Sequence, residues 1–201
     1  MRGFDAHSYM FLCSLANALD VERASMTDRD SLAGTIAAIA TLRGQFTLRS
    51  GALATEYFDK YRFESDPALL SAIARELASL VPPDIQLLAG LELGGVPVAT
   101  AVSLHTGLPC VFVRKRAKDY GTCRLAEGDE VSGKRLLIVE DVVTSGGQVA
   151  KSCDDLRRLG ARIEHAVCVI DRCAGGRELL KEAGVDLHAL FVQDDLGCGR
   201  T

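Results

Sequence analysis

A chain of 201 residues with 48% hydrophobic and 25% charged residues has the length and composition of one soluble domain with a sizeable core. Its net charge of −4 argues against a nucleic-acid binder, which carries a strong basic excess, and no apolar stretch reaches the roughly 18 residues of a membrane span. Seven cysteines, at 13, 110, 123, 153, 168, 173 and 198, include no Cys-x-x-Cys pair and no Cys/His zinc spacing, so they read as reduced thiols of a cytoplasmic protein.

In chain order, residues 1–27 read as an N-terminal extension whose order the sequence leaves open. Its apolar part is broken by Ser14 and Asn17, and Asp5, Asp20 and Glu22 spoil a basic presequence, which argues against a targeting signal. An extra helix and a start at Met26 both fit, because Thr27 and Asp30 form a capping box before the next helix. Residues 28–201 are expected to form a single domain. Over Asp28–Arg43 the apolar Leu32, Ile36, Ile39 and Leu42 share one helical face. Gln45–Tyr61 predicts two short strands around the Ser50-Gly51 turn, and with the preceding helix makes a small hood over residues 28–62 or so. Ser65–Val81 predicts a helix with Asp66 as N-cap and Pro67 at its first position.

From there strands and helices alternate. Strands are predicted at Ile85–Leu91, Cys110–Val113, Leu136–Val139, Ile163–Ile170 and Leu187–Val192, with helices at Val96–Leu104, Gly147–Leu159 and Arg177–Glu182. In Gly147–Leu159 the residues Val149, Cys153, Leu156 and Leu159 line one face, opposite Lys151, Asp154, Asp155 and Arg158. Continuous Val/Ile/Leu runs between amphipathic helices describe an α/β fold: an open, mostly parallel, twisted sheet with helices on both faces. Arg114–Gly133 shows no apolar period and reads as a lid or an irregular connection. Its first residues include Arg114, Lys115, Arg116 and Lys118, a basic run that suits either an anion-binding lid or a solvated loop.

The strand Leu136–Val139 leads into two adjacent acids, Glu140 and Asp141, expected to face solvent. An open parallel sheet binds ligands beyond the carboxyl ends of its strands, and carboxylates there suit a sugar diol. After Val142 and Val143, the turn Thr144-Ser145-Gly146-Gly147 opens a helix that continues with Gln148. Unpaired N–H groups and the helix dipole make such a terminus an anion site, and glycine lets the backbone curl around the anion. Acids followed by an anion nest read as one site for a ribose 5-phosphate; an ordinary strand–turn–helix with a solvated acid pair remains the alternative.

The stretch Leu136–Val149 resembles the phosphoribosyl-pyrophosphate (PRPP) signature of type I phosphoribosyltransferases. Three further stretches resemble the orotate phosphoribosyltransferase family: Phe46–Gly51 its hood strand, Glu92–Gly128 its pyrophosphate loop, following helix and mobile loop, and Val169–Gly176 the strand end that carries an orotate-binding arginine. The resemblance implies transfer of the 5-phosphoribosyl group from PRPP to orotate, giving orotidine 5'-monophosphate and pyrophosphate, with Mg²⁺ carried mostly by PRPP and water and no dedicated metal ligands. It implies catalysis by Lys118, Arg114 and Asp141, and PRPP binding by Arg114, Lys115, Lys118, Glu140, Asp141, Val142, Val143, Thr144, Ser145, Gly146, Gly147 and Gln148. It further implies orotate binding by Thr144 and Arg172, and a homodimer whose lid closes over the neighbouring subunit's site. For Arg172 the competing reading is an ion pair with Asp171.

Leu93-Gly94-Gly95 stands where relatives often have Tyr-Lys-Gly in the pyrophosphate loop and so lacks that lysine, Tyr120 stands where they often have a histidine, and Arg49 replaces a frequent hood lysine. The four histidines, His7, His105, His165 and His188, sit in no motif and read as structural. Two other functions stay open. A PRPP-sensing regulator without turnover has little need of the cations Arg114, Lys115 and Lys118. A transferase for another base has to find a different use for Arg172 and for Tyr57-Phe58.

Overall fold

Short apolar runs between capped helices assemble here into a sheet with a reversed strand order, seen in a computed structural model that describes residues 29–48, 51–117 and 124–197. The extension 1–27, Arg49, Ser50, Lys118 and Tyr120 lie outside the described residues.

Helix α1 (Arg29–Ala40) buries Leu32, Ala33, Ile36 and Ala40. It stops three residues before the predicted Arg43, because Thr41–Thr47 forms strand β1, paired antiparallel with β2 (Leu53–Phe58). Thr41 faces Phe58 and Leu42 faces Tyr57, and Asp59 N–H ties the hairpin back to Ala40 O at 2.8 Å. Cross-strand pairing thus overrides the helical period that Leu42 continues. A single turn, α2 (Tyr61–Glu64), leads to α3 (Pro67–Ala78), whose Asp66 cap accepts N–H bonds from Ala68 and Leu69, both at 3.0 Å.

The main sheet has six strands in the order β5-β4-β3-β6-β7-β8. These are β3 (Leu87–Leu91), β4 (Cys110–Val113), β5 (Ala126–Glu127), β6 (Arg135–Val143), β7 (Arg162–Asp171) and β8 (Asp186–Val192). All neighbours run parallel except β4 and β5. The stretch Arg114–Gly133 therefore contains a strand, contrary to its reading as irregular. With two residues, β5 is too short to show a period, and it is made by pairing Phe112 with Glu127 and Val113 with Ala126.

Helices α4 (Gly95–Thr106), α5 (Gly147–Arg158) and α6 (Gly176–Glu182) follow β3, β6 and β7. Period-two alternation along the strands divides their side chains between two cores. Leu88, Leu137, Val139 and Val167 pack with α1, α3 and α4, whereas Leu87, Ile138 and Cys168 pack with α5 and α6. Each fully buried Leu or Val contributes about 1.5–3 kcal/mol. Chain order moves outward from β3 to β4 and the other way from β6 to β7, so the crevice at the carboxyl ends of β3 and β6 is the topological switch point where such sheets bind ligands. Among the described residues no helix is long and apolar enough to cross a membrane.

Candidate active site

β6 does not end before its acids. Glu140, Val142 and Val143 stay in register with Cys168, Ile170 and Asp171 of β7. Alternation starts the two side chains on opposite faces of that strand, and Glu140 Oε1 folds back to accept Asp141 N–H at 3.2 Å. Glu140 lines a cleft of about 240 Å³ at the switch point, whereas Asp141 is 0% exposed. The expectation of two solvated acids is corrected for Asp141, which the Gly94 loop and Lys60 cover.

Thr144, Ser145, Gly146, Gly147 and Gln148 form the next wall of the cleft. Gly146 has φ 73°, and a Cβ there meets Gly176 Cα at 3.0 Å and its carbonyl oxygen at 2.9 Å. Left-handed backbone and close packing both require glycine. The first bond of α5 runs from Ala150 N–H to Gly146 O at 2.9 Å, so the earlier N–H groups of the turn have no helical acceptor and remain for an anion. The Gln148 amide donates to Ser152 Oγ at 3.3 Å.

Across the cleft stand Glu92 and Leu93 from the loop after β3, Lys115 after β4, and Lys60 and Tyr61 from the hood. Lys115 N–H donates to Glu92 Oε2 at 3.0 Å. The loop passes so closely over Asp141 that a Cβ on Gly94 falls 1.7 Å from Asp141 Oδ2 and 2.7 Å from Glu64 Oε1.

Beneath Gly94 lies a buried cluster of charges. Lys60 Nζ is 2.5 Å from Asp141 Oδ2, and Asp141 Oδ1 accepts Val142 N–H at 2.5 Å. Glu64 is 7% exposed and its Oε1 finds no hydrogen-bond donor among the described residues. Burial, then hydrogen bonding to and charge on Asp141, raises Glu64 to about 9. The same causes raise Glu140 well above the carboxylate range. Burial alone also favours neutral Asp141, but hydrogen bonds from Glu140, Glu64 and Lys60 outweigh it and hold Asp141 low. Burial opposes the Lys60 charge, yet Asp141 and then Glu140 raise its pKa. Within the cluster, Asp141 is the acid held as a carboxylate beside the Lys60 ammonium, while Glu64 and Glu140 are pushed toward the protonated form.

The cleft thus gathers Lys115, Glu140 and the run Val142–Gln148. Arg114 is turned to the sheet edge, with Nε 3.2 Å from Glu127 Oε1, and Lys118 lies outside the described residues. Arg172 follows β7 and donates its N–H to Val143 O at 2.9 Å, beside the end of the acid strand. The alternative ion pair with Asp171 is not formed, because Asp171 takes Arg177 Nε and Nη2, both at 3.2 Å. Sequence reasoning missed Lys60 and Glu64. Their i, i+4 spacing was the available signal, since it puts base and acid on one side of a turn.

One other group of metal-ligating side chains stands out among the described residues. His165, Asp186 and His188 bring ligand atoms within 4.8 Å of one another, and His188 Nε2 is 3.2 Å from Asp186 Oδ2. Asp186 opens β8, so the group lies towards the sheet end opposite the cleft.

Residues 61–187 match the phosphoribosyl transferase domain family. The chain is 50% identical over 175 residues to the orotate phosphoribosyltransferase of a Nocardioides species, covering 87% of this chain and 98% of the relative. It is 44% identical over 172 residues to that of Halobacterium salinarum, covering 86% and 97%. Among solved structures, Mycobacterium tuberculosis orotate phosphoribosyltransferase in complex with Fe(III) dicitrate superposes with a TM-score of 0.77 at 33% identity, covering 85% of this chain and 99% of that one. The same enzyme in complex with PRPP gives 0.73 at 30% identity, over the same shares of the two chains.

Proposed function

The chain belongs to the orotate phosphoribosyltransferases, and we propose that its cleft transfers the 5-phosphoribosyl group of PRPP to orotate, releasing pyrophosphate and orotidine 5'-monophosphate for pyrimidine (UMP) biosynthesis. The observation that carries the reading is the junction of Glu140 with the Thr144–Gly147 turn in one cleft at the switch point.

The 5'-phosphate is assigned to the N–H groups and hydroxyls of Thr144 to Gln148 at the start of α5, with Val142 and Val143 forming the floor. Glu140 is assigned to the ribose hydroxyls, and Asp141 is kept as the buried charge behind it. That order leaves the diphosphate on the side of Glu92, Leu93 and Lys115. Arg172 is assigned to the orotate carboxylate, whose two oxygens match a guanidinium fork, with Thr144 adding a hydroxyl.

Breaking the bond from the anomeric carbon to diphosphate builds positive charge on the ribose and negative charge on the leaving group. The described residues lining the cleft include no Ser–His or Cys–His pair, so the reading rests on positioning and charge stabilisation. Arg114, Lys115 and Lys118 are assigned to the leaving diphosphate, the last as part of a lid that excludes competing water. For Arg114 this requires release of its Glu127 contact.

Mg²⁺ belongs to this reading as a cation carried by the substrate's phosphates. Glu92 and Glu140 are the carboxylates lining the cleft among the described residues, and Glu92 already accepts Lys115 N–H. That donor set suits a hard ion that keeps water and phosphate oxygens. When bound, the ion withdraws charge from the departing diphosphate. The reading also takes the enzyme to be a cytoplasmic homodimer with a shared lid.

The test is to incubate the protein with PRPP, Mg²⁺ and a mixture of orotate, uracil and adenine and identify the nucleotide formed. Orotidine 5'-monophosphate is expected; a purine nucleotide alone, or no product, contradicts the reading.

A further inference from the structure

We propose that Lys60 is a substrate-contacting residue, whose ammonium bridges Asp141 and the diphosphate of PRPP; the inference rests on the PRPP reading above. Lys60 follows the hood hairpin, immediately precedes α2, and belongs to none of the motifs that mark the cleft. Its side chain is 32% exposed and lines the cleft while its Nζ lies 2.5 Å from the fully buried Asp141 Oδ2. An ammonium carries three N–H donors and no acceptor. Asp141 holds it as an ion pair. The Tyr61 ring, 5.4 Å from Nζ, flanks it within the same cleft wall.

Charge decides where this ammonium is useful. With the 5'-phosphate on the start of α5 and the ribose on Glu140, the diphosphate lies toward Glu92, Leu93, Lys60 and Lys115. The loop after β3 contributes an acid, Glu92, and an apolar Leu93 that is 58% exposed, so its side chains offer a polyanion no positive charge. Among the described residues, Lys60 and Lys115 are the cations of that wall. Lys115 is anchored through its backbone N–H, whereas Lys60 has its charged end fixed by an ion pair. A lysine pinned in this way is already ordered before substrate arrives, so less side-chain freedom is lost on binding. The pair therefore places a cation beside Glu140 on the side of the leaving group.

The experiment compares Lys60→Met, Lys60→Gln and Lys60→Arg with the wild type. It measures KM for PRPP, KM for orotate, kcat, and the Kd of inorganic pyrophosphate by calorimetry. Lys60→Met is expected to raise KM for PRPP and Kd for pyrophosphate roughly tenfold or more, as for loss of one charge-assisted contact, and to leave KM for orotate nearly unchanged. Lys60→Arg should recover most of the loss. Lys60→Gln keeps a donor toward Asp141 without the charge, and decides the matter if the Met variant does not fold. Unchanged PRPP KM and pyrophosphate Kd in the folded variants, or a fall in kcat and thermal stability with both KM values intact, overturn the inference. A wild type that turns over orotate but shows no Lys60 effect overturns this inference alone. A wild type that uses neither PRPP nor pyrophosphate overturns the underlying reading with it.

Discussion

Glu140 and Asp141 are adjacent in sequence but differ in surroundings: one lines the cleft, and the other is fully buried with its Oδ2 2.5 Å from Lys60 Nζ. The acid pair therefore has two jobs. Glu140 faces the cleft, and Asp141 holds the hood to the sheet through a charge that Lys60 balances.

Asp141→Asn should lower both stability and PRPP use. Removing one partner of a buried pair leaves the other uncompensated, and Lys60 is partly exposed, so a loss of about 1–3 kcal/mol is expected. Urea unfolding and PRPP kinetics on the same preparation check this. Wild-type stability in that variant contradicts the buried-pair account.

Glu64→Gln should flatten the dependence of stability on pH. Glu64 is raised from 4.5 to about 9 when folded, so between those values the folded state holds a proton that the unfolded chain has lost. Stability from this group is complete below about pH 4.5 and is lost as pH rises through about 9. Glutamine imitates the neutral acid and has no proton to lose. Urea midpoints at acid, neutral and alkaline pH give the profile, and parallel curves for the two proteins refute the assignment.

Gly146→Ala should weaken PRPP binding more than orotate binding. A Cβ at φ 73° is strained and presses on Gly176 at 2.9–3.0 Å, at a cost of about 1–3 kcal/mol. The turn must shift, and the phosphate N–H groups with it. KM values for the two substrates measure this, and a change confined to orotate contradicts the placement of the phosphate.

Lys118→Ala and Glu140→Gln, each nearly inactive alone, should complement one another if the lid crosses between subunits. Random pairing gives one intact site in half of the dimers, or about a quarter of wild-type activity. With subunit exchange confirmed by mass, absence of recovery rules out the shared site.

Much of this was legible from the chain. The runs Leu87–Leu91, Cys110–Val113 and Leu136–Val139 are apolar enough to announce a covered parallel sheet, and Gly146-Gly147 marks the anion turn. Strand alternation sets the face that Asp141 takes, once β6 is extended through the acids, while its burial depends on the Gly94 loop and the hood that cover it. The i, i+4 spacing of Lys60 and Glu64 was visible in the chain but did not place them, because tertiary packing brings them beneath Gly94 from a distant part of it. The two-residue β5 was hidden for a similar reason: it exists by pairing with Phe112 and Val113 and not by its own pattern.

The central claim is tested most directly by the ratio of kcat/KM for orotate to that for uracil, measured with PRPP and Mg²⁺. A site built to pair a carboxylate rejects an analogue that lacks it by roughly four to five powers of ten in favourable cases. A ratio of that order, falling sharply in Arg172→Ala, is the predicted result. A ratio near one, or turnover with uracil and none with orotate, contradicts the account.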